Sequence, residues 1–498
     1  MTTTVAPLMG SDTRISSGIA GLDDVLGGGF PRNHLYLVEG DPGTGKTTLG
    51  IQFLLEGVAN DEPTLYITLA ESQEELKAVA LSHGFDISKV EIFEVKPPEL
   101  EQNASDQYTV FHPSEVELVD VMQNILRKLE QTKAGRIVFD SMSEIRMLAR
   151  DPLRYRRQIL SVKQFFVGRK CTVLLLDDRT GDRTDRQLQS ICHGAIRLET
   201  EARQYGPPRR QIQVLKVRAT RFREGQHDYK IEKGGLEVYP RLISAEHEPV
   251  SSELTALPSG LAELDKLFGG GISRGTTSLF MGPAGSGKST IATKYLTAAA
   301  ERGERGLMFT SDETVESVLV RSSSLGIPLE KHRKSNLIQL EKLNPAELSP
   351  GEFIAQIRRE VEERGCRVVI IDSLNGLLNA MQEGAMLVQL HELFTFLNHR
   401  GVSTFMIMAQ TGIVGSNMGS PIDISYLADN VLLFRYFEWR GAVRQAVSVV
   451  KRRSGPHERS IRELRMIPNQ IEIGGPLQEF EGILTGVPKF LGDANKIL

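Results

Sequence analysis

The sequence predicts an α/β protein with two tandem domains, each built on a mainly parallel β-sheet that helices cover on both faces. The prediction rests on chain length, an internal repeat, and short apolar runs separated by helical stretches. The chain has 498 residues, of which 40% are hydrophobic and 24% charged, enough for roughly two to four domains with sizeable cores. Its formal net charge of −4 does not favour a surface that tracks nucleic-acid phosphates along the whole molecule.

The internal repeat predicts the domain organisation. Residues 17–30 recur as residues 259–272 with about half of the positions identical, an offset of 242. The same offset carries Lys46 to Lys288, and such self-similarity indicates a duplication. We therefore predict a flexible N-terminal segment, a first domain, a linker, a second domain and a C-terminal tail, at residues 1–14, 15–246, 247–255, 256–485 and 486–498.

Continuous runs of Val, Ile and Leu predict the strands. Runs of about four to six such residues, without polar alternation, are what a parallel sheet with two covered faces requires. The predicted strands are residues 35–39, 64–69, 136–140 and 172–177 in the first domain, and residues 277–281, 306–310, 368–372 and 404–410 in the second.

A glycine-rich loop follows the first of these strands in each domain. Residues 40–47 read Gly-Asp-Pro-Gly-Thr-Gly-Lys-Thr, and residues 282–289 read Gly-Pro-Ala-Gly-Ser-Gly-Lys-Ser. Both fit the phosphate-loop pattern, in which backbone amides surround phosphate oxygens, the lysine binds the outer phosphates and the hydroxyl binds Mg²⁺. Because both loops match the pattern and are separated by the repeat offset, the alternative that each is only a glycine-rich turn is disfavoured. The predicted nucleotide-binding residues are Gly43, Gly45, Lys46, Thr47, Thr48, Gly285, Gly287, Lys288, Ser289 and Thr290.

Aspartates at two strand ends are the second predicted metal-binding element. Asp140 and Asp372 each end an apolar run and precede a serine. At the carboxyl end of a parallel strand beside the loop, an aspartate can hold Mg²⁺ together with the loop hydroxyl, Thr47 or Ser289. Taken alone, either aspartate could equally be a strand-end cap.

Hydrolysis also needs a group that orients or deprotonates the attacking water. The first domain offers Glu71 after Ala70, and the second offers Asp312 with Glu313. Because only the second domain has two carboxylates here, we predict that residual hydrolysis is centred there, on Glu313 with help from Asp312. The alternative is an exposed acidic helix start stabilised by the helix dipole.

From about residue 15 to residue 488 the chain resembles the KaiC family of double-domain, RecA-like P-loop ATPases. The resemblance rests on the two Gly-Gly-Gly lead-ins, the two phosphate loops, the two Asp-Ser strand ends, and residues 434–441, Phe-Arg-Tyr-Phe-Glu-Trp-Arg-Gly. It implies ATP and Mg²⁺ as ligands and a homohexamer of two stacked rings with nucleotide between subunits. Residues 108–118 are more similar to the non-clock bacterial relatives, and only ten residues follow residue 488, the segment through which a clock-type activator would act.

The resemblance also assigns basic residues to a neighbour's nucleotide. Lys216 and Arg218 in the first half, and Lys451 and Arg453 in the second, match the strand pairs that reach across the subunit interface in KaiC-like proteins. Basic side chains there would neutralise phosphate charge. The alternative is a solvated basic strand end.

Two departures from the family pattern affect activity. The family carries Glu-Glu where this chain has Ala70-Glu71 and Asp312-Glu313, which predicts slow hydrolysis in the first half and makes bound nucleotide there a stabiliser of assembly. The family autophosphorylates an adjacent Ser and Thr, a segment that aligns with Ser425 and Tyr426. Any phosphoryl transfer is expected on Ser425. The alternative is that Ser425 only begins a helix and is not phosphorylated.

Three functions compete at this point. The first is a homohexameric regulatory ATPase with a possible serine autokinase activity and a KaiB-like or signalling partner; the second is a RecA-like DNA-handling ATPase; the third is a nucleotide-gated scaffold with negligible turnover. The acidity and the lack of basic runs interleaved with aromatics disfavour the second. The sequence has no apolar run of about 18 residues and no signal-peptide pattern at its start, so we expect a cytoplasmic protein without membrane contact whose three cysteines are buried small hydrophobes.

Overall fold

The computed structural model describes residues 14–95, 113–149, 151–179, 187–203, 205–249, 255–380, 383–410, 424–485 and 487–492. The chain divides into two compact units, the first ending at Arg241 and the second beginning at Leu242. Residues 1–13 of the predicted N-terminal segment, 250–254 of the predicted linker, and 486 and 493–498 of the predicted tail lie outside the described residues. In the part that the structure describes, no helix is long and apolar enough to cross a membrane.

The first unit consists of eleven strands and seven helices among its described residues. The strands are β1 (Arg14–Ile15), β2 (Phe30–Pro31), β3 (Leu35–Gly40), β4 (Thr64–Thr68), β5 (Glu91–Glu94), β6 (Arg136–Asp140), β7 (Thr172–Asp178), β8 (Gly194–Glu201), β9 (Arg209–Val217), β10 (Gln226–Glu232) and β11 (Gly235–Tyr239). The helices are α1 (Ala20–Val25), α2 (Lys46–Ala59), α3 (Gln73–Ser82), α4 (Pro113–Gln131), α5 (Met142–Ala149), α6 (Pro152–Phe166) and α7 (Gln187–Ile191).

Nine of these strands form one sheet in the order β11-β10-β9-β8-β3-β7-β6-β4-β5. The strands from β5 to β8 are parallel, and β8, β9, β10 and β11 pair in antiparallel fashion. Side chains alternate across each strand, so on β3 Leu35 and Leu37 belong to one hydrophobic cluster and Tyr36 and Val38 to another. Because both faces are covered, the central strands carry a continuous apolar run, which is the pattern that predicted them.

The second unit repeats this arrangement. Its strands are β12 (Ala256–Leu257), β13 (Ile272–Ser273), β14 (Thr277–Gly282), β15 (Arg305–Thr310), β16 (Ile338–Lys342), β17 (Cys366–Asp372), β18 (Ser403–Ala409), β19 (Asn430–Trp439), β20 (Ala442–Arg452), β21 (Arg462–Ile467), β22 (Gln470–Pro476), β23 (Phe480–Glu481) and β24 (Lys489–Phe490). Its helices are α8 (Ala262–Leu267), α9 (Lys288–Glu301), α10 (Val315–Ser324), α11 (Leu329–Lys334), α12 (Pro350–Glu362), α13 (Leu374–Ala380) and α14 (Glu383–His399).

The second nine-stranded sheet has the order β16-β15-β17-β18-β14-β19-β20-β21-β22. Strand for strand this is the topology of the first sheet, with the same switch to antiparallel pairing at the fourth strand from one edge. The register is also repeated, since Lys216 lies opposite Ala195 in the first unit and Lys451 opposite Val431 in the second. The predicted fold class is confirmed, and the matching topologies support the duplication.

All eight predicted strands are present, with ends within two residues of the predicted ones. The parallel strands β5 and β8, the antiparallel strands β9, β10 and β11, and their counterparts were not predicted. On β9 buried residues are interspersed with partly exposed ones, so the strand lacks the continuous apolar run that the prediction used. The three cysteines, Cys171, Cys192 and Cys366, are free and buried, as expected.

Candidate functional site

The first glycine-rich loop joins β3 to α2 and places a helix N-terminus at its mouth. Gly45 is the N-cap of α2 with φ of 93°, in the left-handed region that favours glycine. A Cβ on Gly45 would also lie 2.5 Å from Cδ1 of Ile231. The loop therefore requires glycine here, and its backbone amides stay free to approach an anion at the helix N-terminus.

Lys46 lies folded over this loop. Its Nζ donates to the carbonyl oxygens of Gly40 and Asp41, each at 3.0 Å, and pairs with Oδ1 of Asp178 at 2.7 Å. The side chain is buried. The ammonium group is thus held where the strand ends and the loop begins, the place from which a phosphate-loop lysine binds the outer phosphates.

Thr47 and Asp140 meet beside the loop, as predicted. The Thr47 hydroxyl donates to Oδ2 of Asp140 at 3.1 Å, and the Tyr66 hydroxyl donates to the same oxygen. Burial raises the pKa of Asp140, while the hydrogen bonds from Tyr66 and Thr47 and the charge of Lys46 oppose that rise. A hydroxyl and a carboxylate in contact are oxygen ligands of the kind that Mg²⁺ prefers, so these residues fit the metal that the loop implies.

Glu71 faces a cavity of about 400 Å³ that the loop, Thr47 and Asp140 also line. Its backbone is fixed because the Thr68 hydroxyl donates to the Glu71 carbonyl at 2.7 Å. Its Oε2 is buried and has no hydrogen-bond partner among the described residues. Burial raises the pKa of Glu71, and the negative charge of Asp140 raises it further. A buried carboxylate oxygen without a protein partner is an acceptor that a bound water or ligand can satisfy.

The second loop has the same geometry around Lys288. Gly287 is the N-cap of α9 with φ of 101°, and the Nζ of Lys288 donates to the carbonyls of Gly282 at 2.9 Å and Pro283 at 2.6 Å. Burial lowers the pKa of Lys288 to about 8, and Asp372 opposes that shift. Unlike Lys46, it has no carboxylate partner within 4.0 Å in the described part of the chain.

Asp372 occupies the same strand-end position as Asp140, at the end of β17. Burial raises the pKa of Asp372 to about 6, while a hydrogen bond from Ser289 and the charge of Arg321 oppose the rise. The hydroxyl–carboxylate pair of the first unit is therefore repeated here, and these residues fit Mg²⁺ equally well.

The two carboxylates that follow β15 are occupied by protein donors. Asp312 accepts from the Ser373 hydroxyl at 2.7 Å and from the Ser311 hydroxyl at 3.1 Å. Both oxygens of Glu313 accept from Nη1 of Arg321. The second unit thus has two carboxylates at this position, as the sequence indicates, but neither is free in the way that Glu71 is.

The predicted interface residues lie far from the phosphate loop of their own unit. His193 donates to the carbonyl of Leu35, at the start of β3, and Arg218 donates to the carbonyl of His193. The loop begins at the other end of β3, about 15 Å away at roughly 3.3 Å per residue. Lys216 is two residues before Arg218 at the same end of β9, so neither side chain is brought to its own loop. Lys451 and Arg453 occupy the matching edge of the second sheet.

In the second unit this edge includes Ser425. A 3₁₀ turn, Ser425–Leu427, precedes β19, and Nζ of Lys451 donates to the carbonyls of Ser425 and Ala428, each at 2.8 Å. Arg453 donates to the carbonyl of Tyr426 at 2.8 Å and pairs with Asp429. The Tyr426 side chain is exposed. Two basic residues therefore position the segment that carries the predicted phosphorylation site.

Comparison with known proteins identifies the family to which a chain with these two repeated domains belongs. A family model described as "ATPase: KaiC" matches residues 15–243 and 257–478. The chain belongs to the KaiC ATPase family. The circadian clock oscillator protein KaiC of Acaryochloris marina is 26% identical over 487 residues, covering 96% of this chain and 91% of that protein. The protein of the same name from Prochlorococcus marinus strain MIT 9313 is 25% identical, with 96% of each covered.

Membership of the KaiC ATPase family indicates ATP as the nucleotide of the loops and a capacity for hydrolysis. Three side chains that contact the predicted site residues were not found from the sequence. They are Tyr66, which contacts Asp140, Asp178, which contacts Lys46, and Arg321, which contacts Glu313. The repeat offset of 242 places Val79 opposite Arg321, and that difference between the halves is the signal that could have identified Arg321.

Proposed function

We propose that this chain is a homohexameric regulatory ATPase that binds ATP and Mg²⁺ in both repeats, with each nucleotide at a subunit interface. The main support is that one constellation occurs twice: a buried lysine on the loop, Lys46 or Lys288, beside a hydroxyl–aspartate pair at the end of the neighbouring strand. The two repeats are only about half identical even over their matching stretch, residues 17–30 and 259–272. That both keep this constellation argues for a retained ligand.

The chain's own groups would divide the work as follows. The loop amides and the lysine bind the phosphates, and Thr47 with Asp140, or Ser289 with Asp372, hold the metal. Mg²⁺, when bound, neutralises charge on the phosphate oxygens. A carboxylate beside the loop orients the attacking water and accepts its proton, a contribution worth typically 10² to 10⁴ in rate.

The free carboxylate oxygen of Glu71 supports the first repeat as the faster site. The sequence predicts the reverse, with Glu313 and Asp312 as the principal groups. Both of those carboxylates accept hydrogen bonds from protein donors, whereas Glu71 lines the cavity beside the loop and its buried Oε2 has no partner among the described residues. We therefore propose Glu71 as the more active group, with Glu313 available only when its ion pair opens.

The hexamer is supported by the position of the four basic residues. Lys216 and Arg218, about 15 Å along the sheet from their own loop, cannot contact the nucleotide that this loop binds. A neighbouring copy that brought its loop to this edge would give them a phosphate to neutralise. The same reasoning applies to Lys451 and Arg453 in the second repeat.

Nucleotide binding is tested by the number of ATP molecules bound per chain at equilibrium. We expect two for the wild type, one for Lys46→Ala, one for Lys288→Ala and none for the double variant, because each lysine supplies the buried cation of one site. Single variants that still bind two ATP molecules would contradict the proposal.

Serine autophosphorylation is a second proposed activity. Lys451 donates to the carbonyl of Ser425 and Arg453 to that of Tyr426, so the serine lies with the residues assigned to a neighbour's nucleotide. Phosphoryl transfer depends mainly on positioning and charge neutralisation. In such a transfer the Ser425 hydroxyl oxygen bonds to the γ-phosphorus of the neighbour's ATP, ADP leaves, and a neighbouring carboxylate accepts the hydroxyl proton.

Peptide mapping after incubation with labelled ATP and Mg²⁺ tests this activity. We expect label on Ser425 and its loss in Ser425→Ala. Ser448→Ala, which changes a buried serine on β20, is the matched control and should keep the label. Label on Tyr426, or full label in Ser425→Ala, would contradict the assignment.

A further inference from the structure

The two candidate water-orienting glutamates have the same backbone setting. Thr68 donates to the carbonyl of Glu71 at 2.7 Å, and Thr310 donates to the carbonyl of Glu313 at 2.9 Å. The next residue in each case, Ser72 or Thr314, caps the following helix, α3 or α10. A difference in behaviour between the two glutamates must therefore come from what their side chains meet.

The difference lies eight residues further along, on the same helix. In the second repeat this residue is Arg321, whose Nη1 donates to both oxygens of Glu313. In the first repeat it is Val79, which lines the cavity that Glu71 faces and can make no hydrogen bond with a side chain. The duplication thus supplies a natural comparison of one position with and without a guanidinium group.

We propose that Arg321 is a positioning residue that restrains Glu313 and slows hydrolysis at the second site, while Val79 leaves Glu71 free at the first. This inference rests on the proposed ATPase function. Because Arg321 Nη1 donates to both Glu313 oxygens, it takes acceptor sites that water would use and holds the carboxylate in the orientation of the ion pair. The two repeats then run at different rates although their loops, metal ligands and glutamates are alike.

The ion pair is a restraint that can open. The Arg321 side chain is 27% exposed and that of Glu313 is 36% exposed, so water competes for both groups. Partly exposed pairs are weak, and their loss changes an equilibrium by roughly two- to fivefold. We therefore expect removal of Arg321 to raise turnover at the second site by about that factor, with little effect on ATP binding.

The test uses the full-length chain with Glu71→Gln, so that phosphate release reports the second site while the first still binds nucleotide. Into this parent we place Arg321→Val, which copies the first repeat, and Arg321→Lys, which retains a cation that can pair with Glu313. We expect kcat to rise about two- to fivefold in Arg321→Val, to stay near the parent in Arg321→Lys, and the ATP Kd to change by less than about twofold in both.

Two further variants separate a positioning role from a structural one. Adding Glu313→Gln to Arg321→Val should abolish the gain, because the effect acts through that carboxylate. Arg321→Gln, which keeps a polar side chain but removes the charge, should show a gain like that of Arg321→Val if folding is intact by thermal unfolding. An unchanged or lower kcat in both Arg321→Val and Arg321→Gln overturns the inference.

The reciprocal change gives an independent reading. In a Glu313→Gln parent, Val79→Arg should lower first-site turnover roughly two- to fivefold, and Val79→Leu, a change without charge, should not. Equal rates in Val79→Arg and Val79→Leu would contradict the inference even though the wild type hydrolyses ATP. Absence of ATP-dependent phosphate release in the wild type would instead contradict the proposed function.

Discussion

Glu71 and Glu313 illustrate how one residue type acquires different chemistry from its neighbours. Glu71 has a buried oxygen without a protein partner and a pKa raised by burial and by Asp140. Glu313 is paired with Arg321. The consequence is a prediction about which glutamate matters more for turnover.

Glu71→Gln should lower the first-site hydrolysis rate by about 10² to 10⁴ without weakening ATP binding, because it removes the proton acceptor and keeps the shape of the side chain. The measurement is single-turnover phosphate release in a Glu313→Gln background. Glu74→Gln is the control, since Glu74 is an exposed acidic residue in the first turn of α3. Equal rates in the two variants would show that Glu71 has no part in the reaction.

The sequence predicted the site residues whose roles follow from a local pattern. Lys46, Thr47 and their counterparts occur in a loop motif, and Asp140 and Asp372 end recognisable strands. The contacts that set the two sites apart were not predicted, because Asp178 reaches Lys46 from another strand and Arg321 reaches Glu313 across two turns of a helix. Such contacts depend on side-chain direction in the folded chain, which no local pattern contains.

At the scale of elements, the sheets follow from hydrophobicity alone only where both faces are buried. β6, residues Arg136–Asp140, was predicted with both ends correct. The antiparallel strands were missed because their outer positions are partly exposed, as on β9. These are the strands that carry Lys216 and Lys451, so the resemblance to a family, rather than hydrophobic patterning, identified that edge.

The packing of α1 against β11 gives a prediction specific to the first unit. A Cβ on Gly21 of α1 would lie 2.0 Å from the backbone carbonyl oxygen of Val238, and a backbone atom cannot move aside by changing rotamer. Gly21→Ala should therefore destabilise the protein by about 1–3 kcal/mol, even though alanine favours helix by up to about 1 kcal/mol.

Thermal unfolding measures this effect. The repeat places Glu263 of α8 at the same position in the second unit, where it forms partly exposed ion pairs with Lys266 and Arg462. Glu263→Ala removes only these ion pairs and should change stability much less than Gly21→Ala does. If Gly21→Ala unfolds at the wild-type temperature, α1 and β11 are not in the close contact described here.

At the scale of the whole molecule, the duplication produces two candidate sites with the same main residues but different neighbouring side chains. The loops, the strand-end aspartates and the strands that carry the basic residues are repeated in the same topological places. The differences are concentrated in a few side chains, such as Val79 against Arg321. A protein with one faster and one slower site can use the slower nucleotide to maintain its assembly while the other turns over, which is how we account for the retention of both loops.

The central claim is that both repeats form working ATP sites, and phosphate release by the full-length chain with ATP and Mg²⁺ tests it most directly. The account predicts steady release that falls in Lys46→Ala and in Lys288→Ala and disappears in the double variant, with the larger loss in Lys46→Ala. A wild type that binds two ATP molecules without releasing phosphate would contradict the account and favour a nucleotide-gated scaffold.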